Sequence, residues 1–135
     1  MLRPVTLLAI LGPATAALGA CTPGDEVAQE PRQPLVHAGV STILLDDGLV
    51  SFTVALEGDA DAADVEGYAR CAAAQYALDK GFGFARQVRT IVKRHGQVWI
   101  GDAVYTLSVT LPEGLVIIDA EQTVADCDEL GIPTV

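Results

Sequence analysis

The sequence predicts an α+β domain in which one long helix packs on a small antiparallel sheet of about four to five strands. Short apolar runs separated by turn residues predict the strands, and an alanine-rich segment between them predicts the helix. A cysteine in that segment, Cys71, and one near the C-terminus, Cys127, predict a disulfide that pins the C-terminal tail. These three features together indicate a layered fold with a covalent link.

The first two strands are predicted on either side of Asp46, Asp47 and Gly48. An Asp-Gly pair between two apolar runs is a strong indication of a hairpin turn. The flanking runs cover residues 39–45 and 49–56. In the second run, apolar side chains alternate with Ser51 and Thr53, which predicts that one face of this strand is buried.

The helix is predicted to begin near Asp59 and to end at Lys80, before Gly81. Acids in the first turn and a lysine followed by glycine at the end are typical of helix termini. The repeated aspartates also suggest a calcium loop, but the remaining ligands of such a loop are missing at the required positions. No metal site is therefore predicted. One apolar stripe has helical spacing: Val65, Tyr68, Ala69, Ala72, Ala73 and Tyr76.

The second half of the chain predicts further strands. Residues 85–95 fit either a strand or a helix, and the β-branched residues near 90 favour the strand. Residues 97–111 alternate as a strand does, a turn is predicted at 112–114, and residues 115–120 return as another strand. A short helical turn is expected around 125–130.

The N-terminus has the layout of a secretory signal. Arg3 precedes an apolar run that is short for a membrane-spanning helix and contains Gly12 and Pro13. The run ends in Leu-Gly-Ala-Cys at residues 18–21. This motif resembles the lipobox of bacterial lipoproteins. The alternative is ordinary secretion with Cys21 unmodified.

The lipobox resemblance implies cleavage between Ala20 and Cys21 by lipoprotein-processing enzymes and attachment of lipid to the Cys21 thiol. Residues 1–20 are then the signal peptide, 21–37 the lipidated cysteine and a flexible tether, and 38–135 a single domain. Two or three acyl chains hold a protein stably at a membrane. The resemblance implies a location in the bacterial cell envelope, facing the periplasm. Thr22 favours the outer over the inner membrane, because an aspartate there often marks inner-membrane retention.

The charge balance argues against a nucleic-acid partner. The 135 residues contain 8 Lys+Arg and 18 Asp+Glu, for a net charge of −10, and such a surface repels phosphate. The positive charge is concentrated in one segment, which we predict to be an interaction face for an envelope partner. Its alternative is a solvated strand face that pairs with the protein's own acids. The basic residues of this segment are Arg86, Arg89, Lys93 and Arg94.

The sequence contains no recognisable catalytic or phosphate-binding motif, and it therefore predicts neither a catalytic residue nor a cofactor. In an exported protein Cys71 and Cys127 are expected to be bonded, which disfavours a thiol nucleophile working with His37 or His95. A small hydrolase or ligand-binding protein that uses Asp102 and Asp119 is the alternative. Asp102 lies inside an apolar strand, which pairing with Arg86 or Arg89 explains equally well.

Three segments carry a second resemblance: CAAAQYALDKGFGFARQVRT, WIGDAVYTLS and IDAEQTVADCDELGIPTV. They resemble a set of small bacterial lipoproteins without assigned activity, over about residues 44–135. The resemblance implies one compact domain and transfers no catalytic residue. We therefore expect a lipid-anchored, non-enzymatic accessory or interaction domain.

Overall fold

The computed structural model describes residues 33–134 and the isolated Gly12. The predicted cleavage site and the lipidated Cys21 lie outside the described residues. The predicted α+β class is confirmed by five strands and two helices: β1 Val36–Leu44, β2 Leu49–Glu57, α1 Ala62–Asp79, β3 Phe84–His95, β4 Val98–Ser108, β5 Ile117–Asp119 and α2 Ala120–Leu130.

The strands form one antiparallel sheet in the order β1-β2-β4-β3-β5. The Asp46–Gly48 turn joins β1 to β2 as predicted. Helix α1 packs on one face of the sheet, against β2, β3 and β4. The other face carries no described helix, and we call it the open face.

The core lies between α1 and the sheet. Alternate residues of β2 are buried, as the sequence pattern predicts: Val50, Phe52, Val54 and Leu56. The predicted helix stripe faces them, and all of it is buried except Tyr76, which is half-buried. The Tyr76 ring meets the Phe52 ring edge to face at 5.6 Å, a favoured aromatic geometry.

Helix α1 begins with a capping box. The Asp61 carboxylate accepts a hydrogen bond from the Asp64 N–H at 2.9 Å, and the Asp61 N–H donates to the Asp64 carboxylate at 3.0 Å. These bonds satisfy two donors that a helix N-terminus leaves without partners. The acids therefore stabilise the helix, as predicted, and residues 33–134 contain no cluster of His, Cys, Asp and Glu that could hold a metal.

The helix packs tightly on the sheet at Gly101 of β4. A Cβ atom placed there would collide with Cγ1 of Val65 on α1 and lie 3.2 Å from Cγ2 of Val54 on β2. The missing side chain at residue 101 makes room for Val65. Packing at this point therefore requires glycine.

The predicted Cys71–Cys127 disulfide is confirmed. It joins the middle of α1 to α2, with 6.0 Å between the two Cα atoms. Both cysteines are almost fully buried, at 2% and 3% exposure. With both sulfurs in this bond, neither cysteine is a free thiol, so the thiol-nucleophile alternative is wrong.

Several element bounds differ from the predictions. Strand β1 begins at Val36, three residues before the predicted start. Residues 84–95 form one strand, so the helical alternative for this segment is wrong. Strand β5 is only three residues long, since Val116 has a φ of 54° that ends regular strand geometry. Helix α2 is longer than the expected turn because the Asp119 carboxylate caps it, accepting from the Gln122 N–H at 3.1 Å.

Candidate interaction face

Three of the predicted basic residues lie together on the open face. Arg86 pairs across the sheet with Thr106, Arg89 with Val104, and Lys93 with Ile100. We call Arg86, Arg89 and Lys93 the basic face.

A β-bulge brings these three residues to one side. Strict alternation along β3 would separate Arg86 from Arg89, because they are an odd number of residues apart. The register shifts between Gln87 and Arg89, which leaves Val88 as the extra residue. This shift turns Arg89 and Lys93 to the side that Arg86 already occupies.

Arg94 does not belong to this group. It lies on the helix side of the sheet, opposite Trp99. Its guanidinium carbon is 5.3 Å from the centre of the Trp99 ring, and its Nε donates to the carbonyl of Gly96 at 3.0 Å. The structure thus separates Arg94 from the other three predicted interaction residues.

Asp102 is held within the open face. Its carboxylate accepts a hydrogen bond from the Ser51 hydroxyl at 2.9 Å and lies 3.5 Å from Nη2 of Arg89. The Arg89 and Asp102 side chains are 48% and 42% exposed. An exposed pair contributes at most about 1 kcal/mol, so Arg89 stays available to a competing carboxylate.

The other two cations differ in their surroundings. The Arg86 side chain passes close to Gly114, where an added Cβ atom would come within 2.9 Å of Cδ. Arg86 is therefore half-buried beneath the loop before β5, whereas Lys93 is exposed. Lys93 and Arg89 are the more accessible charges of the basic face.

The basic face borders a free strand edge. Strand β5 pairs with β3 only at Phe84–Arg86, and one more backbone bond joins the Gln87 N–H to the Val116 carbonyl at 3.1 Å. Beyond this point, residues 88–95 have no strand on that side within the described part of the chain. Val88 and Ile91 are exposed beside the charges. Such an edge can accept an added strand from a partner.

The two aspartates of the alternative enzymatic interpretation do not converge. Asp102 lies opposite Ile91 and Asp119 opposite Phe84, which places them roughly 20 Å apart along β3 at about 3.4 Å per residue. Asp119 serves as the α2 cap. Both carboxylates thus have structural roles.

The two histidines lie on different strands, His37 on β1 and His95 on β3, with β2 and β4 between them. His37 packs edge to face on the Tyr68 ring at 4.7 Å. Burial lowers the pKa of His37, and the Asp64 carboxylate acts in the opposite direction. His95 lies at the end of β3 and is exposed. No described Ser, Cys or Asp forms a hydrogen bond to either imidazole.

Comparisons with known proteins give a family without a stated activity. Residues 37–131 match the sequence model of the family described as YNQ4 C-terminal domain. The "Uncharacterized 26.9 kDa protein in nqo8 5'region" of Paracoccus denitrificans is 42% identical over 88 residues, which cover 64% of this chain. The chain spans about a third of that relative's length. No solved structure matches significantly.

A helix that spans a membrane must reach a minimum length and hydropathy. Among residues 33–134, neither helix is long and apolar enough to cross a bilayer.

Proposed function

We propose that this chain, which belongs to the YNQ4 C-terminal domain family, is a non-enzymatic interaction domain that a lipid on Cys21 holds at the bacterial cell envelope. The basic face carries this proposal. It presents Arg89 and Lys93, with the half-buried Arg86 beside them, on the open face of a chain whose net charge is −10. Local positive charge favours an acidic partner, whereas the net charge of −10 opposes association with a second copy of the chain.

The free edge of β3 suggests how this partner binds. An extended acidic segment added beside residues 88–95 would form backbone hydrogen bonds and place carboxylates near Arg89 and Lys93. Val88 and Ile91 would be covered at the same time. The proposed partner is therefore an envelope protein with an exposed acidic strand or tail.

The anchor rests on the lipobox at residues 18–21 and is tested by the intact mass of the native protein from bacterial membranes. We expect the mass of residues 21–135 plus a diacylglyceryl group, with or without a further acyl chain on the new amine. We also expect no thiol that reacts before reduction. A mass without lipid would contradict the anchor, and C21S, which removes the thiol that would carry the lipid, is the matched control.

The basic face is tested by charge reversal. We expect the R89E/K93E double variant to recover at least about tenfold less partner than the wild type in crosslinked pull-downs from detergent extract, since close charge pairs contribute more than 1.4 kcal/mol. The capture should also weaken as salt rises.

The matched control for this test is R70E/K80E, which changes the net charge equally but lies away from the basic face, with Arg70 in α1 and Lys80 at the C-cap of that helix. Equal losses in both double variants would mean that only net charge matters, and this result would contradict the proposal. Circular dichroism of each variant would verify that the sheet remains folded.

A further inference from the structure

A second surface lies at the end of the helix–sheet layer where α1 ends. An open groove of about 570 Å³ runs between the β1–β2 turn and the last turn of α1, and small-molecule sites are commonly about 300–1,000 Å³. The residues that line it are Leu44, Gly48, Val50, Tyr76, Lys80, Phe82 and Leu107. The groove is on the opposite side of the sheet from the basic face.

The walls of the groove are mainly apolar. Val50 forms a floor that is 1% exposed, whereas Leu44 at the rim is 69% exposed. Phe82 and Leu107 are half-buried and pack against the core. Apolar surface that remains in water at a concave site is stabilised when an apolar ligand covers it.

The groove has a single charged lining residue, Lys80. Its ammonium lies 5.5 Å from the centre of the Tyr76 ring, and that ring also packs on Phe52 in the core. The cation is thus placed at the groove mouth by an aromatic ring that is itself fixed. A ligand with one anionic group and one apolar chain fits this distribution.

We propose that the groove binds the acyl chain of an anionic amphiphile, with the chain between Leu44, Phe82 and Leu107 and the acidic head at Lys80. A free fatty acid and an anionic phospholipid share this chemistry. The proposal does not depend on the basic face, because Arg89 and Lys93 lie on the other side of the sheet.

The test is calorimetric titration of the purified protein with sodium dodecanoate below its micelle concentration. We expect saturable binding of one molecule per chain. K80Q is expected to weaken it about tenfold, which corresponds to a charge-assisted contact of 1.4 kcal/mol. L44Q is expected to weaken it severalfold, because it removes apolar surface from the rim of the groove. The core should stay intact, since Leu44 is exposed.

Three controls make the result specific. K93Q removes an equal charge from the opposite face and should leave the affinity unchanged. Dodecyltrimethylammonium has the same chain with a cationic head and should bind at least about tenfold more weakly. Sedimentation with phosphatidylglycerol and phosphatidylcholine vesicles identifies the source, since capture by the anionic vesicles alone supports a membrane lipid if K80Q loses this capture and K93Q retains it.

Three outcomes would overturn the proposal. The first is the absence of saturable binding to dodecanoate and of selective binding to anionic vesicles. The second is equal affinity in wild type and K80Q. The third is a concentration-dependent dimer that L44Q dissociates, since a second copy of the chain would then be the occupant.

Discussion

Reduction of the Cys71–Cys127 disulfide is expected to lower the free energy of unfolding by about 4 kcal/mol. The bond closes a loop with a sequence separation of 56 residues, and the loop-entropy relation gives about this value for a loop of such length. Small domains are stable by about 5–15 kcal/mol in total. Reduction should therefore remove between about a quarter and four fifths of the total stability.

Urea unfolding with and without reductant measures this effect. The double variant C71A/C127A is the control, because its stability should not respond to reductant. A change below about 1 kcal/mol on reduction of the wild type would contradict the prediction.

The loss of stability on reduction of the disulfide should appear first in α2. This helix has only two buried residues, Ala120 and Cys127, and most of its other side chains are exposed. Few buried contacts mean low local stability. Amide hydrogen exchange should therefore accelerate in α2 on reduction before it accelerates in β2 and β4, which form the centre of the sheet.

The second large effect is expected for G101A. The added methyl group would collide with Val65, so the helix must move away from the sheet or Val65 must leave its preferred rotamer. Overpacking of this kind costs about 1–3 kcal/mol. Thermal or urea unfolding of the purified variant measures the loss.

A second substitution distinguishes this collision from a general effect of alanine. V65A/G101A should be less destabilised than the sum of V65A and G101A, with a coupling of about 0.5–3 kcal/mol. G67A is the matched control. A Cβ atom there would lie 3.9 Å from Ile132, and alanine in a helix stabilises by about 0.5–1 kcal/mol relative to glycine. Additive effects of V65A and G101A would contradict the packing argument.

Local sequence patterns were sufficient to predict the main helix and the strands of the fold. The alternation in residues 49–56 and the helical stripe from Val65 to Tyr76 each report which face of an element is buried, and both faces are buried against one another. The disulfide followed from the two cysteines that remain after Cys21 in a chain predicted to be exported. Strand β5 was predicted too long because apolar composition does not reveal the left-handed backbone at Val116.

The arrangement of the basic face was only partly predictable. The sequence indicated a basic cluster, but strict alternation along β3 would place Arg86 with Arg94 rather than with Arg89. The bulge at Val88 reverses this arrangement, and a bulge depends on the register with the neighbouring strand. The groove had no local signal, since Leu44, Lys80 and Leu107 are brought together from three distant elements.

The way in which the chain enters the sheet determines how the domain bears mechanical load. The Gln33 N–H donates a hydrogen bond to the Asp59 carboxylate at 2.5 Å, and the Gln33 carbonyl accepts one from the Asp59 N–H at 3.3 Å. From Val36 onward, β1 runs antiparallel to β2. A force that pulls the preceding residues away from this end of the sheet acts along the axis of β1. It therefore shears the β1–β2 hydrogen bonds together instead of peeling them apart one at a time, and the Gln33–Asp59 pair is the first to resist.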